Sequence, residues 1–181
     1  MGVDLEIWGN IADFDFDDAA QPGYFVGKLA HDNGWSGEYA ERVLDEYRRY
    51  VYLACMADHV VVPSDQVDMA WHQHLLDTEQ YWGVFCSSVL NRPLHHRPNK
   101  GGHAGQAVHQ ALYDRTLRTY AETFDCVPPE DIWPRPARRF GWKSGRRRMT
   151  IDPTWQLPSR RVQAMGAAFA IATVVPVVVA W

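Results

Sequence analysis

The sequence predicts an all-α domain: a small bundle of three main helices with a short N-terminal helix, followed by a C-terminal hydrophobic helix. Three observations carry this prediction. Apolar residues recur at steps of three and four in several long segments. No stretch alternates apolar and polar residues as a half-buried strand would. Stretches rich in Pro and Gly separate the periodic segments. Hydrophobic residues make up 46% of the 181 and aromatics 13%, enough to pack one core.

The first 20 residues, with the acidic and aromatic run IADFDFDDAA, read as a docked arm rather than a helix. A short helix is expected from about Pro22 through YFVGKLAHDN, with Gly34 breaking it. Ser36 then serves as N-cap of a helix reaching about Val60, on the stripe Tyr39, Val43, Tyr47, Tyr50, Ala54 and Ala57. After Pro63, Ser64 with Asp65 and Asp68 starts a further helix that is expected to run to about Leu90. NRPLHHRPNKGGHAG is a loop by composition. The next helix spans about Gln106 to Phe124, and CVPPEDIWPRP follows as an extended strap pinned by Trp133.

Charge divides the chain into three parts. Residues 1–70 carry 14 acidic and 4 basic side chains, whereas residues 134–161 carry 1 and 9. The expected organisation is a helical domain over residues 1–134, a basic Pro/Arg-rich linker over 135–161 and a membrane-spanning tail anchor over 162–181. The last segment, VQAMGAAFAIATVVPVVVAW, has no charged residue, and 20 helical residues rise about 30 Å, the thickness of a bilayer core. Arginines 160 and 161 just before it place the globular domain on the cytoplasmic side. The same segment also suits the first span of a longer membrane protein, or a buried core helix. The basic linker is too short to be a nucleic-acid-binding domain by itself, so nucleic acid is not an expected partner.

Cys55, Cys86 and Cys126 form no C-x-x-C pair, which argues against a disulfide framework or zinc ribbon and for reduced thiols. The N-terminus has no basic n-region, and Glu6 stands where a myristoylation signal needs Ser or Thr. There is no G-x-S-x-G and no phosphate-binding loop.

The chemistry concentrates in WHQH at positions 71–74. His72 and His74 lie about 200° apart around a helix axis, so one ion cannot take both. Asp68 and His72, four apart, share a face and are expected to point into the stripe that packs on the other helices, and His95 or His96 could fold back toward them from the loop. Asp68, His72, His95 and His96 are therefore the candidate ligands for zinc or another divalent metal. Trp71, His74, Tyr81 and Cys86 are the structural part of the motif, and Cys86 is placed too far along the axis to ligate. The competing reading makes Asp68 a hydrogen-bonded brace for His72.

The stretch from VVPSDQVDMAWHQHLLDTEQYW through FCSSVLNRPLHHRPNKGG to PPEDIWP resembles the glycine-rich-domain-containing-protein-like family. That family's pattern, V-D-x-x-W-H-x-H, then Tyr, Cys and L-H-H-x-P-x-x-G-G, maps here to Val67, Asp68, Trp71, His72, His74, Tyr81, Cys86, Leu94, His95, His96, Pro98, Gly101 and Gly102. The resemblance implies that Trp71, His72 and His74 act as a unit, and it brings no settled enzymatic activity. Plant relatives carry the module beside glycine-rich and RNA-binding segments, which this chain lacks. The expected function is a membrane-anchored interaction or sensing module with a protein partner and a divalent-metal site. The alternative is a metal-dependent hydrolase-like enzyme using Asp68, His72 and His95 or His96.

Overall fold

A computed structural model of the chain describes residues 3–17, 21–96 and 103–141, all within the unit Met1–Gly145. Among the described residues every regular element is helical and there is no strand. The chain begins with a helix, α1 (Leu5–Ala12), where an irregular arm is expected. Its signal is the Asp4 cap, whose carboxylate accepts from the Glu6 and Ile7 amides. Ile11 on its inner face is fully buried. Only residues 13–17 behave as an arm. Phe14 and Phe16 enter the core, and the Asp17 carboxylate accepts from the Gly23 and Phe25 amides at 2.6 Å each. Asp17 thus caps the start of α2 (Tyr24–Asn33), which has no side-chain cap of its own. Gly34 ends α2 at φ 66°, a left-handed geometry that glycine adopts without penalty.

Helix α3 (Gly37–Met56) is the central element and packs against α1, α2 and the next helix, α4 (Asp65–Leu76). Ser36 caps it as expected, accepting from the Tyr39 amide. Its stripe buries Val43, Tyr47, Tyr50, Val51 and Leu53, each worth about 1.5–3 kcal/mol in transfer free energy if fully removed from water. Ser64 caps α4 in the same way, accepting from the Val67 amide.

The expected continuous helix to Leu90 is interrupted. Asp77 leaves helical geometry at φ −88°, ψ 79°, and the chain resumes as a π-helix over Glu79–Val89. The wider turn has a packing reason. In an α-helix, residue 86 would sit about 140° around the axis from residue 81. Bonds of the i→i+5 kind, such as Leu90 N–H to Phe85 O, let Tyr81, Phe85 and Cys86 all turn inward. The change of phase also leaves Trp82 partly exposed, although α-helical spacing places it on the buried stripe with Trp71.

Helix α5 (His103–Phe124) buries Tyr113, Thr116 and Tyr120. The strap after it is tighter than extended, because the Ile132 and Trp133 amides both donate to Pro129 O. Trp133 pins it as expected: the ring is buried and its Nε1–H donates to Glu46 at 2.9 Å. Glu46 also accepts from the Tyr120 hydroxyl, and burial pushes its carboxyl above the ordinary range. A short helix, α6 (Pro136–Arg139), follows within the segment expected to be linker. Arg139 stacks over Tyr113 and reaches Pro63 O and Asp65. No helix among the described residues is long and apolar enough to cross a membrane, and the expected span 162–181 lies outside them.

Candidate metal centre

Helix α4 carries two histidines into opposite environments. His74 is fully buried, ringed by Phe14, Phe16, Phe25, Tyr47, Tyr81 and Phe85. Its Nδ1 lies 3.0 Å from the Tyr47 hydroxyl, while Nε2 has no hydrogen-bond partner. If the Tyr47 hydroxyl donates to Nδ1, the ring proton sits on Nε2 and faces aromatic rings. Desolvation pushes the His74 pKa down to about 3, so the ring is neutral. His74 is a core residue.

His72 faces the other way, with 51% of its side chain exposed, so the Asp68–His72 pair lies at the surface rather than within the packed stripe. Asp68 is one turn earlier, and His96 arrives from the segment after the π-helix. His96 Nε2 stands 2.9 Å from Asp68 Oδ1 and 3.1 Å from His72 Nε2, and His72 Nε2 is 3.9 Å from Asp68 Oδ2. One ligand atom from each of the three falls within 4.8 Å of the others. Two zinc ligands at bonds of about 2.0–2.1 Å in tetrahedral geometry stand about 3.3 Å apart, so these separations bracket what one ion needs. Hydrogen bonding alone serves the group poorly. A single N–H on His96 directed at Asp68 cannot also satisfy the His72 nitrogen.

The position of His96 is built from below. Trp71 Nε1–H donates to the Tyr81 hydroxyl at 2.9 Å, and that hydroxyl donates to Leu94 O at 2.5 Å. This relay ties α4 and the π-helix to the backbone two residues before His96. The His96 ring then packs edge-on against Trp71, with centroids 4.6 Å apart. Burial raises the Tyr81 hydroxyl pKa, against the lowering effect of the Trp71 bond, so it stays protonated and able to donate. Tyr50 packs under Trp71, and burial with the Asp68 charge raises its hydroxyl as well.

Of the four expected ligands, the structure therefore gathers Asp68, His72 and His96. His95 is not in the group: its ring packs on Trp82 at 5.3 Å, because adjacent residues of an extended segment point in opposite directions. Cys86 is buried and is not among the three. Trp71 and Tyr81 lie beneath the group, whereas His74 belongs to the core on the other face of α4. His109 on α5 feels the charges of Asp65 and Asp68, although burial and Arg139 lower its pKa. The motif singles out Tyr81, but its role as a relay is not legible in the sequence. A Tyr that follows a Trp by ten residues gives no warning of a shared hydrogen bond when a helix break lies between them.

Fold and site together define a helical module with a surface Asp/His/His group held on an aromatic base. The family profile described as UCP032817-like matches residues 20–139, and the chain belongs to that uncharacterised family. This overturns the resemblance to the glycine-rich-domain-containing-protein-like family and removes what it implied. The match spans all three gathered residues and their aromatic base, but not α1. No curated protein and no solved structure matches the chain.

Proposed function

We propose that the chain is a helical interaction or sensing module that binds a divalent cation through Asp68, His72 and His96. The supporting observation is the convergence of the three ligand atoms within 4.8 Å of one another. Two imidazoles and one carboxylate suit zinc, and equally iron(II) or another borderline divalent ion. Three protein ligands leave at least one coordination position for water or a group from a partner, and the exposure of His72 keeps that position reachable.

Binding would link α4 to the segment carrying His96, which is separated from it by the whole π-helix. That linkage suits a sensor, because metal occupancy then controls how one surface segment is held. The enzyme alternative draws on the same reachable position. Against it, the cleft of about 590 Å³ beside α2 borders none of the three ligands. Attachment to a membrane, with the domain in the cytoplasm, belongs to the same proposal and rests on the uncharged apolar run 162–181.

The test is zinc binding by the full chain, purified without a metal-binding tag and stripped of metal. About one equivalent should bind, and Asp68→Ala, His72→Ala and His96→Ala should each lower affinity by roughly tenfold or more. Unchanged helicity in the variants, with no zinc bound by the unaltered chain, would make the group a hydrogen-bonded brace.

A further inference from the structure

We propose that the cleft between α2, the end of α4 and the start of the π-helix binds a small organic cation with an apolar body. The cleft holds about 590 Å³, within the range of roughly 300–1,000 Å³ common for small-molecule sites. It lies where the helix breaks at Asp77, away from Asp68, His72 and His96, and does not depend on metal binding.

One part of its wall is apolar and aromatic, and the rest is polar. Phe16 and Phe25 form the inner surface, and Tyr24 and Leu76 stand exposed beside them. Large apolar side chains left exposed around a concavity mark a surface that gains from being covered. The aromatic faces also carry negative quadrupole density, which attracts a cation brought against them.

The charge in the cleft selects the sign of the ligand. Asp77 and Glu79 both line it. Asp77 Oδ1 accepts from the Gln80 amide, and neither carboxylate forms an ion pair among the described residues. Lys28 also lines the cleft, but its ammonium is engaged by Asp32 at 2.5 Å. An anion would meet two carboxylates. A neutral apolar ligand would desolvate the carboxylates without compensation. An ammonium on an aromatic or alkyl body satisfies both parts of the site.

The experiment is calorimetric titration of the full chain with phenethylammonium, beside 3-phenylpropanol and 3-phenylpropionate as neutral and anionic counterparts. Phenethylammonium should bind saturably, with a dissociation constant below about 5 mM and at least fivefold tighter than the alcohol, while the carboxylate should not bind. Glu79→Gln and Tyr24→Ala alter exposed side chains, so the fold should persist, and each should weaken the cation by roughly three- to tenfold. His72→Ala should leave this affinity unchanged, which separates failure here from failure of the metal reading. Absence of saturable binding, equal binding of cation and alcohol, or indifference to both cleft variants would each overturn the proposal.

Discussion

His72 and His74 are two residues apart on one helix and are governed by different physics. His74 is sealed among six aromatic rings, holds one hydrogen bond and stays neutral. His72 is half in solvent and shares its nitrogen with Asp68 and His96. The difference is a rotation about the helix axis, yet it turns one imidazole into core and brings the other to Asp68 and His96. A His-x-His pattern on a helix is therefore two separate statements.

The largest contrast should come from truncation. His74→Ala removes a buried ring and leaves the Tyr47 hydroxyl without its partner, so a loss of about 3–5 kcal/mol is expected. His72→Ala in the metal-free chain should change stability by less than about 0.5 kcal/mol. Urea unfolding of both variants checks the pair. Similar losses would mean that the two faces are energetically one.

Acid should separate them next. The unfolded chain protonates His74 near the ordinary histidine pKa of 6.5, whereas in the fold that pKa is about 3. Between those values the unfolded state binds more protons, so stability falls as pH is lowered through this window. By about pH 5 the loss attributable to His74 is about 2 kcal/mol. Tyr47 and Tyr81, which face the ring, stay neutral throughout because burial raises both hydroxyls. Glu46 acts with the opposite sign. Its raised carboxyl pKa gives a contribution that is present in acid and lost as pH rises. A His74→Phe variant, compared with the parent by urea midpoint at each pH, should lose the acid slope assigned to His74.

The sequence disclosed these faces unevenly, for physical reasons. Helix α3 is readable because 20 residues repeat one stripe behind a Ser cap. Helix α1 is not, because eight residues give too few turns for a period and the acidic, aromatic run that overlaps its end reads as a docked arm. The π-helix leaves no mark in α-helical spacing. Assuming α-helical phase puts Trp82 with Trp71, while the wider turn gives that inward direction to Tyr81, Phe85 and Cys86. Asp68 with His72 follows from helical spacing alone. The choice between His95 and His96 does not, since it depends on how an irregular segment is anchored.

That anchoring can be tested through Tyr81. Tyr81→Phe keeps the ring but removes the link between Trp71 and Leu94 O. The expected cost is about 1–2 kcal/mol of stability. Zinc affinity should also fall severalfold, because His96 is less firmly placed. A brace without metal function would show the first effect only, so calorimetric zinc titration beside urea unfolding distinguishes the two.

The smallest expected effect is the most exacting. His95→Ala removes an exposed ring packed on Trp82, outside the group of Asp68, His72 and His96. Zinc affinity should stay within about twofold and stability within about 0.5 kcal/mol. His96→Ala, one residue along, should abolish most of the binding. Neighbours in an extended segment face opposite ways, so the contrast between them measures whether the Leu94 anchor sets which imidazole reaches Asp68. If His95→Ala were as damaging as His96→Ala, the segment would adopt another register when the ion binds. The relay through Trp71 and Tyr81 would then describe only the metal-free arrangement.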